Sequence, residues 1–347
     1  MVTGSSLTRQ VFPFMLQRAI IRIIFPVCLI ISAARAEDIP AGSVNAPEPK
    51  PVTFRVSAGF TVPGFELRDH RFADRSIHYL GDQTLQTGAA LYYRGAGVGA
   101  RVGVLDAKRP EQRVTSDFNV DAGYFHRVFG AEAYYRQSGR YYIQRSPSGT
   151  GMLWNGADAG FSIRTEGAGA NVYLFLKDLT TLNKDYSYGT ANQQSGRLSK
   201  SCGTFMVIAG ADYSMLRGPA ALVPGYDRYL LMGLNLFGMT GWRFIGGYFG
   251  IGFAGILVLP HDFFIAPLIS LAVHPRQMEF FTATGTKHDF QIDSMKGKGR
   301  INAGYNGERF FAGISVAVEA ELDPAELFHT VVWNVDLNAG LFAGVRI

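Results

Sequence analysis

The stretch HTVVWNVDLNAGLFAGVRI, His329 to Ile347, closes the chain and alternates almost without fault. Trp333, Val335, Leu337, Ala339, Leu341, Ala343, Val345 and Ile347 share one parity, and Asn334, Asp336, Asn338, Gly340, Phe342, Gly344 and Arg346 share the other. Successive side chains on a strand point to opposite faces, so this segment has one greasy face and one wet face. At the end of a chain that also starts with an export signal, it reads as the closing strand of a bacterial outer-membrane barrel.

The start of the chain fits that compartment. Arg9, Arg18 and Arg22 precede an apolar run from Ile23 to Ala34, and Ala34-Arg35-Ala36 supplies the small-x-small pattern of a cleavage site. The run is too short for a spanning helix, which needs about 20 apolar residues. Cys28 raises a lipoprotein anchor as the competing reading, but Phe25-Pro26-Val27 is a poor lead-in and apolar residues continue beyond it. The expected organisation is a signal peptide at 1–36, a Pro-rich periplasmic lead-in at 37–51 and a single barrel at 52–347.

Processing changes the charge argument. The chain has 33 Lys+Arg and 28 Asp+Glu, but Arg9, Arg18, Arg22 and Arg35 leave with the signal. The mature balance is then 29 against 28, and the high pI gives no reason to expect nucleic acid. Only Cys202 survives, so no internal disulfide forms. The histidines are scattered without paired ligand spacing, so neither a metal nor a cofactor is expected.

The middle of the chain repeats the closing pattern in runs of roughly 10 residues, the length of a tilted membrane strand. Ala96, Val98, Ala100, Val102 and Val104 oppose Gly97, Gly99, Arg101 and Gly103. Phe118, Val120, Ala122 and Tyr124 oppose Asn119, Asp121 and Gly123, with a tight turn near 126–129 before Ala131, Ala133 and Tyr135. A further hairpin is expected at Thr165-Glu166-Gly167, with Phe161 and Ile163 on its outer face. Phe205, Val207, Ala209, Ala211 and Tyr213 share one face, as do Ile301, Ala303 and Tyr305, and Phe310 to Val318 after a turn at Gly307-Glu308. The count is about fourteen strands, with twelve as the alternative. The fold class is all-β, a transmembrane antiparallel up-and-down barrel.

Residues 244–275 test that reading, because Phe244–Leu259 and Phe263–Val273 are nearly all apolar. At 16 and 11 residues both fall short of a spanning helix, five glycines interrupt the first, and Pro260-His261-Asp262 separates them as a turn would. Strands are expected. The polar stretches 106–113, 144–153, 178–200 and 275–298 are expected as loops on the outward side.

Gly250-Ile251-Gly252-Phe253-Ala254-Gly255 matches a dinucleotide fingerprint, but inside an alternating run it reads as small residues on a strand. Tyr92, Tyr93, Tyr141, Tyr142, Trp154, Trp242 and Trp333 fall near strand ends and suggest interfacial girdles. Lys296, Lys298 and Arg300, with Lys287 and His288, suggest a basic patch at a loop base, either solvated or set to meet lipopolysaccharide phosphates.

The set with chemistry to offer is polar and inward-facing: Arg101, Asp121, Glu132, Arg136, Arg164, Asp212, Asn302, Asn306, Asn334, Asp336, Asn338 and Arg346. Mixed charges along a lumen select solutes by charge, or pair with one another to hold the wall. Three readings follow: a passive channel for small polar or charged solutes; a closed structural or interaction barrel meeting lipopolysaccharide or a partner through its loops; and an outer-membrane lipid enzyme, for which no catalytic residues stand out. The last would need a His within reach of a Ser at the outer leaflet.

Four segments also resemble an uncharacterised outer-membrane barrel family, the domain of unknown function numbered four-four-two-one. They are TGAALYYRGAGVGARVGVL (87–105), SDFNVDAGYFHRVFGAEAYYRQSGRYYIQ (116–144), GAGANVYLFL (167–176) and INAGYNGERFFAGISVAVEAE (301–321). The resemblance covers most of 52–347, and its most specific piece runs from Gly304 to Gly313. It implies the barrel, outer-membrane lipid and lipopolysaccharide as surroundings and the barrel-assembly machinery as a partner, and it implies no reaction. Ile347 stands where such barrels usually end in an aromatic, keeping parity and apolarity.

Overall fold

The computed structural model describes residues 52–69, 72–81, 84–106, 117–126, 128–139, 141–145, 163–176, 187–196, 198, 200–218, 221–222, 238–282, 285–291, 294–325 and 330–347. The predicted signal peptide and lead-in, Trp154, Phe161 and most of the stretches 106–113 and 144–153 lie outside the described residues.

Sixteen strands form one antiparallel sheet. They are β1 (Val52–Asp69), β2 (Phe72–Gly81), β3 (Thr84–Tyr93), β4 (Ala96–Asp106), β5 (Phe118–Phe125), β6 (Phe129–Gly139), β7 (Tyr141–Arg145) and β8 (Arg164–Phe175). The second half has β9 (Cys202–Arg217), β10 (Met239–Val258), β11 (Phe263–Val273), β12 (Arg276–Thr282), β13 (Gly285–Gln291), β14 (Met295–Asn306), β15 (Phe310–Ala325) and β16 (Thr330–Arg346). β16 pairs with β1 from Thr53↔Arg346 to Asp69↔Thr330, and β10 pairs with β11, so the sheet closes on itself.

The closed wall has twelve strands, not fourteen: β1, β3–β6, β8–β11 and β14–β16. The other four continue wall strands past local interruptions. β3 pairs with the lower part of β1 and β2 with its upper part. β11 and β12 likewise share β10, separated by His274-Pro275, and Pro275 has no N–H to give a ladder. The expected loop at 275–298 is therefore a hairpin, β12–β13, running into β14.

The end carrying Val52 and Arg346 has short turns where the alternation breaks. Arg94 and Gly95 both have positive φ (46° and 86°), the geometry of a two-residue hairpin turn. The Pro260-His261-Asp262 turn is present, and β10 and β11 on either side are strands. Phe249, Ile251 and Phe253 point outward at 58%, 68% and 37% exposure, with Ile269, Leu271 and Val273 beside them. From Ile245 to Leu257 the outward apolar face rises roughly 30 Å at a 45° tilt, a bilayer's hydrocarbon thickness.

One expected hairpin is absent. β8 runs straight through Thr165-Glu166-Gly167, and Ile163, predicted to face out, is buried. The glycine at 167 breaks the apolar pattern without turning the chain.

Inside, two clusters of buried side chains occupy the two ends. At the far end Phe65, Leu67, Ile77, Tyr79, Tyr141, Leu216, Trp242, Phe244 and Phe280 pack together, with the Phe65 ring stacked on Tyr79 at 4.3 Å and edge-on to Trp242 at 5.1 Å. Trp242 and Tyr141 are thus core residues rather than girdle residues, and Tyr92 faces the interior. Only Tyr93 of the described candidates is exposed on the outside, while nothing is described of the Tyr142 and Trp333 side chains. The end near the termini holds Phe125, Tyr173, Phe175, Tyr188, Phe264, Phe311 and Phe342.

Candidate functional site

The connection between β8 and β9 leaves from the terminal end, and the described residues of the stretch 178–200 do not form an outward loop as expected. Its described part folds up into the barrel as one wide helical turn, Gly189–Gln193, with Gln194 in the left-handed region (φ 58°). Tyr188 stacks on Phe125 at 4.2 Å, and burial, followed by the nearby Glu132 charge, pushes its hydroxyl above the usual tyrosine range.

Wall side chains then hold this turn as a plug. Arg55 donates to the Asn192 carbonyl (3.2 Å), Asn302 to the Asn192 side chain (3.1 Å) and Asn306 to the Gly196 carbonyl (3.2 Å). Arg346 donates through Nε to the Gln194 carbonyl (2.8 Å) and also meets Asn306 and Gly307. Asn306 and Arg346, predicted to line the lumen, are nearly fully buried beneath it as part of the seal.

Between the plug and the far-end cluster lies a polar chamber of about 340 Å³. Of the predicted set, Arg101, Asp121, Glu132, Arg136 and Asp212 line it, as do Asn302, Asn334, Asp336 and Asn338. Arg164 does not: it is exposed on the outer face, because the strand continues where a hairpin was expected to reverse the parity.

The chamber has other charged residues that were not among the expected lumen-lining set. Lys296, Lys298 and Arg300 are not a loop-base patch; they alternate with Gly297 and Gly299 along β14 and point inward. Lys287 and His288 are exposed on β13, away from them. Glu319 and Glu321 extend the inward parity of β15 beyond Val318, and Arg55 does so on β1.

Most of these groups pair tightly within the chamber. The Lys296 ammonium lies 2.8 Å from Asp212, 2.7 Å from Glu319 and 2.7 Å from Glu321. Arg136 reaches Glu319 (3.2 Å) and Asp336 (3.7 Å), while Lys298 meets Glu132 (3.3 Å), which also accepts from Asn171 and Tyr173. His274 is fully buried, its Nε2 at 2.8 Å from Asp212 and its Nδ1 beside Arg276. Gly246 makes this possible, because a Cβ there would sit 2.5 Å from the His274 ring. Asp212, His274 and Glu321 converge closely enough to suggest a metal, but Lys296 already provides the cation between the two carboxylates. The set fits an internal charge cluster and does not fit a resident ion.

A second His contact lies on the outside of the far end. Ser76 Oγ is 3.0 Å from His78 Nε2, and Glu66 is 3.6 Å from that same nitrogen. Acid and hydroxyl compete for one ring atom, whereas a relay places them on opposite ones.

The match to a family model now carries weight beside this geometry: Domain of unknown function (DUF4421) matches residues 46–346, taking in every described strand. The chain belongs to this family. The four segments singled out in the sequence lie inside the match. No curated protein matches the chain. Among solved structures, the outer-membrane protease OmpT of Escherichia coli is similar at 10% identity and a TM-score of 0.42, covering 88% of this chain and 99% of that one. The Neisseria meningitidis NalP translocator domain is similar at 10% identity and 0.32, covering 98% of each chain, and the P. putida toluene transporter TodX at 10% and 0.31, covering 87% and 91%. A closed barrel with an apolar exterior and its backbone bonds satisfied strand to strand is suited to a bilayer. This family member is an outer-membrane β-barrel of unassigned activity, and its surroundings are membrane lipid.

Proposed function

We propose that this protein is a closed, non-conducting outer-membrane barrel whose role is structural or adhesive, exercised through its surfaces. The observation that supports this reading is the filling of both lumen ends, by the plug at one and by the Trp242 cluster at the other. Export by the 1–36 signal, a short lead-in and insertion by the barrel-assembly machinery through β16 complete the reading. The termini then face the periplasm, and exposed Lys287 and His288 face the lipopolysaccharide side, where cations meet phosphates.

The passive-channel reading requires the plug to leave and the far-end cluster to part. Among the described residues an enzyme reading has the Ser76–His78–Glu66 contact, whose shared nitrogen does not relay a proton, and the His274–Asp212 pair, which Lys296 and Arg276 tie into the charge cluster, so the proposal is of a non-enzyme. Planar-bilayer recording on the purified full chain tests the proposal. No conductance above the lipid background is expected, and sustained stepwise openings would refute it.

A further inference from the structure

The lower half of the chamber, directly above the plug, carries three arginines that form no ion pair among the described residues. Arg55, Arg101 and Arg300 project from three separate strands, β1, β4 and β14, and act on one another electrostatically. Among the described residues, neither Arg101 nor Arg300 has an ion pair or a side-chain hydrogen bond, in contrast to Lys296 and Arg136 above them. Arg55 is held over the Phe342 ring at 4.3 Å, on the plug carbonyl and by Tyr92, and none of these contacts is to a carboxylate.

The remaining charges at this level do not balance the group. Glu132 pairs with Lys298 and also acts on Arg300, and among the described residues Asp121 is the one further carboxylate in electrostatic reach of the three arginines, which leaves positive charge in excess. Like charges enclosed without counter-ions are costly, and guanidinium groups are the side chains best shaped for carboxylate and phosphate oxygens. The free volume of about 340 Å³ is at the small end of the range of ligand cavities.

We propose that the chamber floor formed by Arg55, Arg101 and Arg300 binds a small solute through a carboxylate or phosphate group. The ligand lies between the arginines and the plug, so Asn192 and Gln193 of the plug complete its enclosure. The site is loaded as the barrel folds or when the plug lifts, and the bound anion joins three strands that otherwise repel one another at this level.

The test is to refold the purified full chain into detergent with chloride as the common anion, then add inorganic phosphate or succinate at matched ionic strength. Heat unfolding is followed by loss of the compact band on a gel. At tenfold excess over its dissociation constant, a bound anion raises the midpoint by about 3 °C. The Arg101→Gln/Arg300→Gln double variant should lose that rise, while its midpoint in chloride should equal or exceed that of the unchanged protein, because repulsion is relieved. Asp121→Asn, which removes the carboxylate that acts on all three arginines, should enlarge the rise. A rise with phosphate alone or succinate alone assigns the anion class. No rise with either, an equal rise in the double variant, or an unchanged rise in Asp121→Asn overturns the proposal.

Discussion

Replacing Lys296 by Met is expected to destabilise the barrel by about 3–5 kcal/mol, the cost of removing one partner from a buried charge cluster. The ammonium is the common neighbour of Asp212, Glu319 and Glu321, all within 2.8 Å. Without it, three carboxylates share a water-poor space with Arg136, which is also engaged by Asp336, and Arg276, which lies 3.6 Å from Glu321. Met fills the volume, so the loss reports charge rather than a cavity. Adding Glu319→Gln should restore part of the loss, because neighbouring members of one network are not additive. Urea titration of the single and double variants in lipid vesicles measures both quantities. A loss under 1 kcal/mol, or no recovery in the double variant, would mean that water rather than Lys296 neutralises the cluster.

The second large effect belongs to the outer face. Ile251 is 68% exposed, lies between Val207 and Leu271, and sits midway along the outward apolar run of β10. Ile251→Arg should cost about 2–4 kcal/mol, the range for a cation on the lipid face at the bilayer midplane. Phe290→Arg is the contrasting variant. Phe290 is almost as exposed, at 64%, but it sits on β13, in the hairpin that extends past the wall. Its cost should be about 0–1 kcal/mol, the range near an interface. Equal costs at the two positions would remove the bilayer from the explanation of the apolar exterior.

Much of the wall was readable because period two is a strong signal once one face meets lipid. β16, β10 and β15 follow their predicted parity, and the expected turns at Pro260-His261-Asp262 and Gly307-Glu308 fall between strands. Several misreadings share one cause: polar or glycine-rich stretches were taken for loops, whereas Trp242, Tyr141 and Tyr92 were taken for girdle residues although they face the interior. Gly167 was read as a turn, which reversed the parity upstream and put Ile163 outside and Arg164 inside. Lys296-Gly-Lys298-Gly-Arg300 looked like a solvated run, yet it continues the parity of Asn302 and Asn306, and that continuation was the available clue. Glu319 and Glu321 were available in the same way beyond Val318. The plug left no such trace. Its position depends on Arg346, Asn306 and Asn302 meeting carbonyl and amide groups more than a hundred residues away, contacts that no local pattern encodes. The pairing of His274 with Asp212 is equally non-local, spanning the gap between β11 and β9.

The barrel is a cylinder whose outside touches lipid and, on the proposed reading, whose inside is sealed from bulk water at both ends. Spin labels on successive residues of β15 in vesicles examine both halves of that statement at once. Ile314, Val316 and Val318 face outward, while Ser315 and Ala317 line the chamber. Labels at 314, 316 and 318 should collide often with oxygen dissolved in the bilayer, and labels at 315 and 317 should be shielded from both oxygen and a water-soluble nickel complex. Free access of the nickel complex to 315 and 317, or collision rates that do not alternate along the strand, would contradict the sealed barrel.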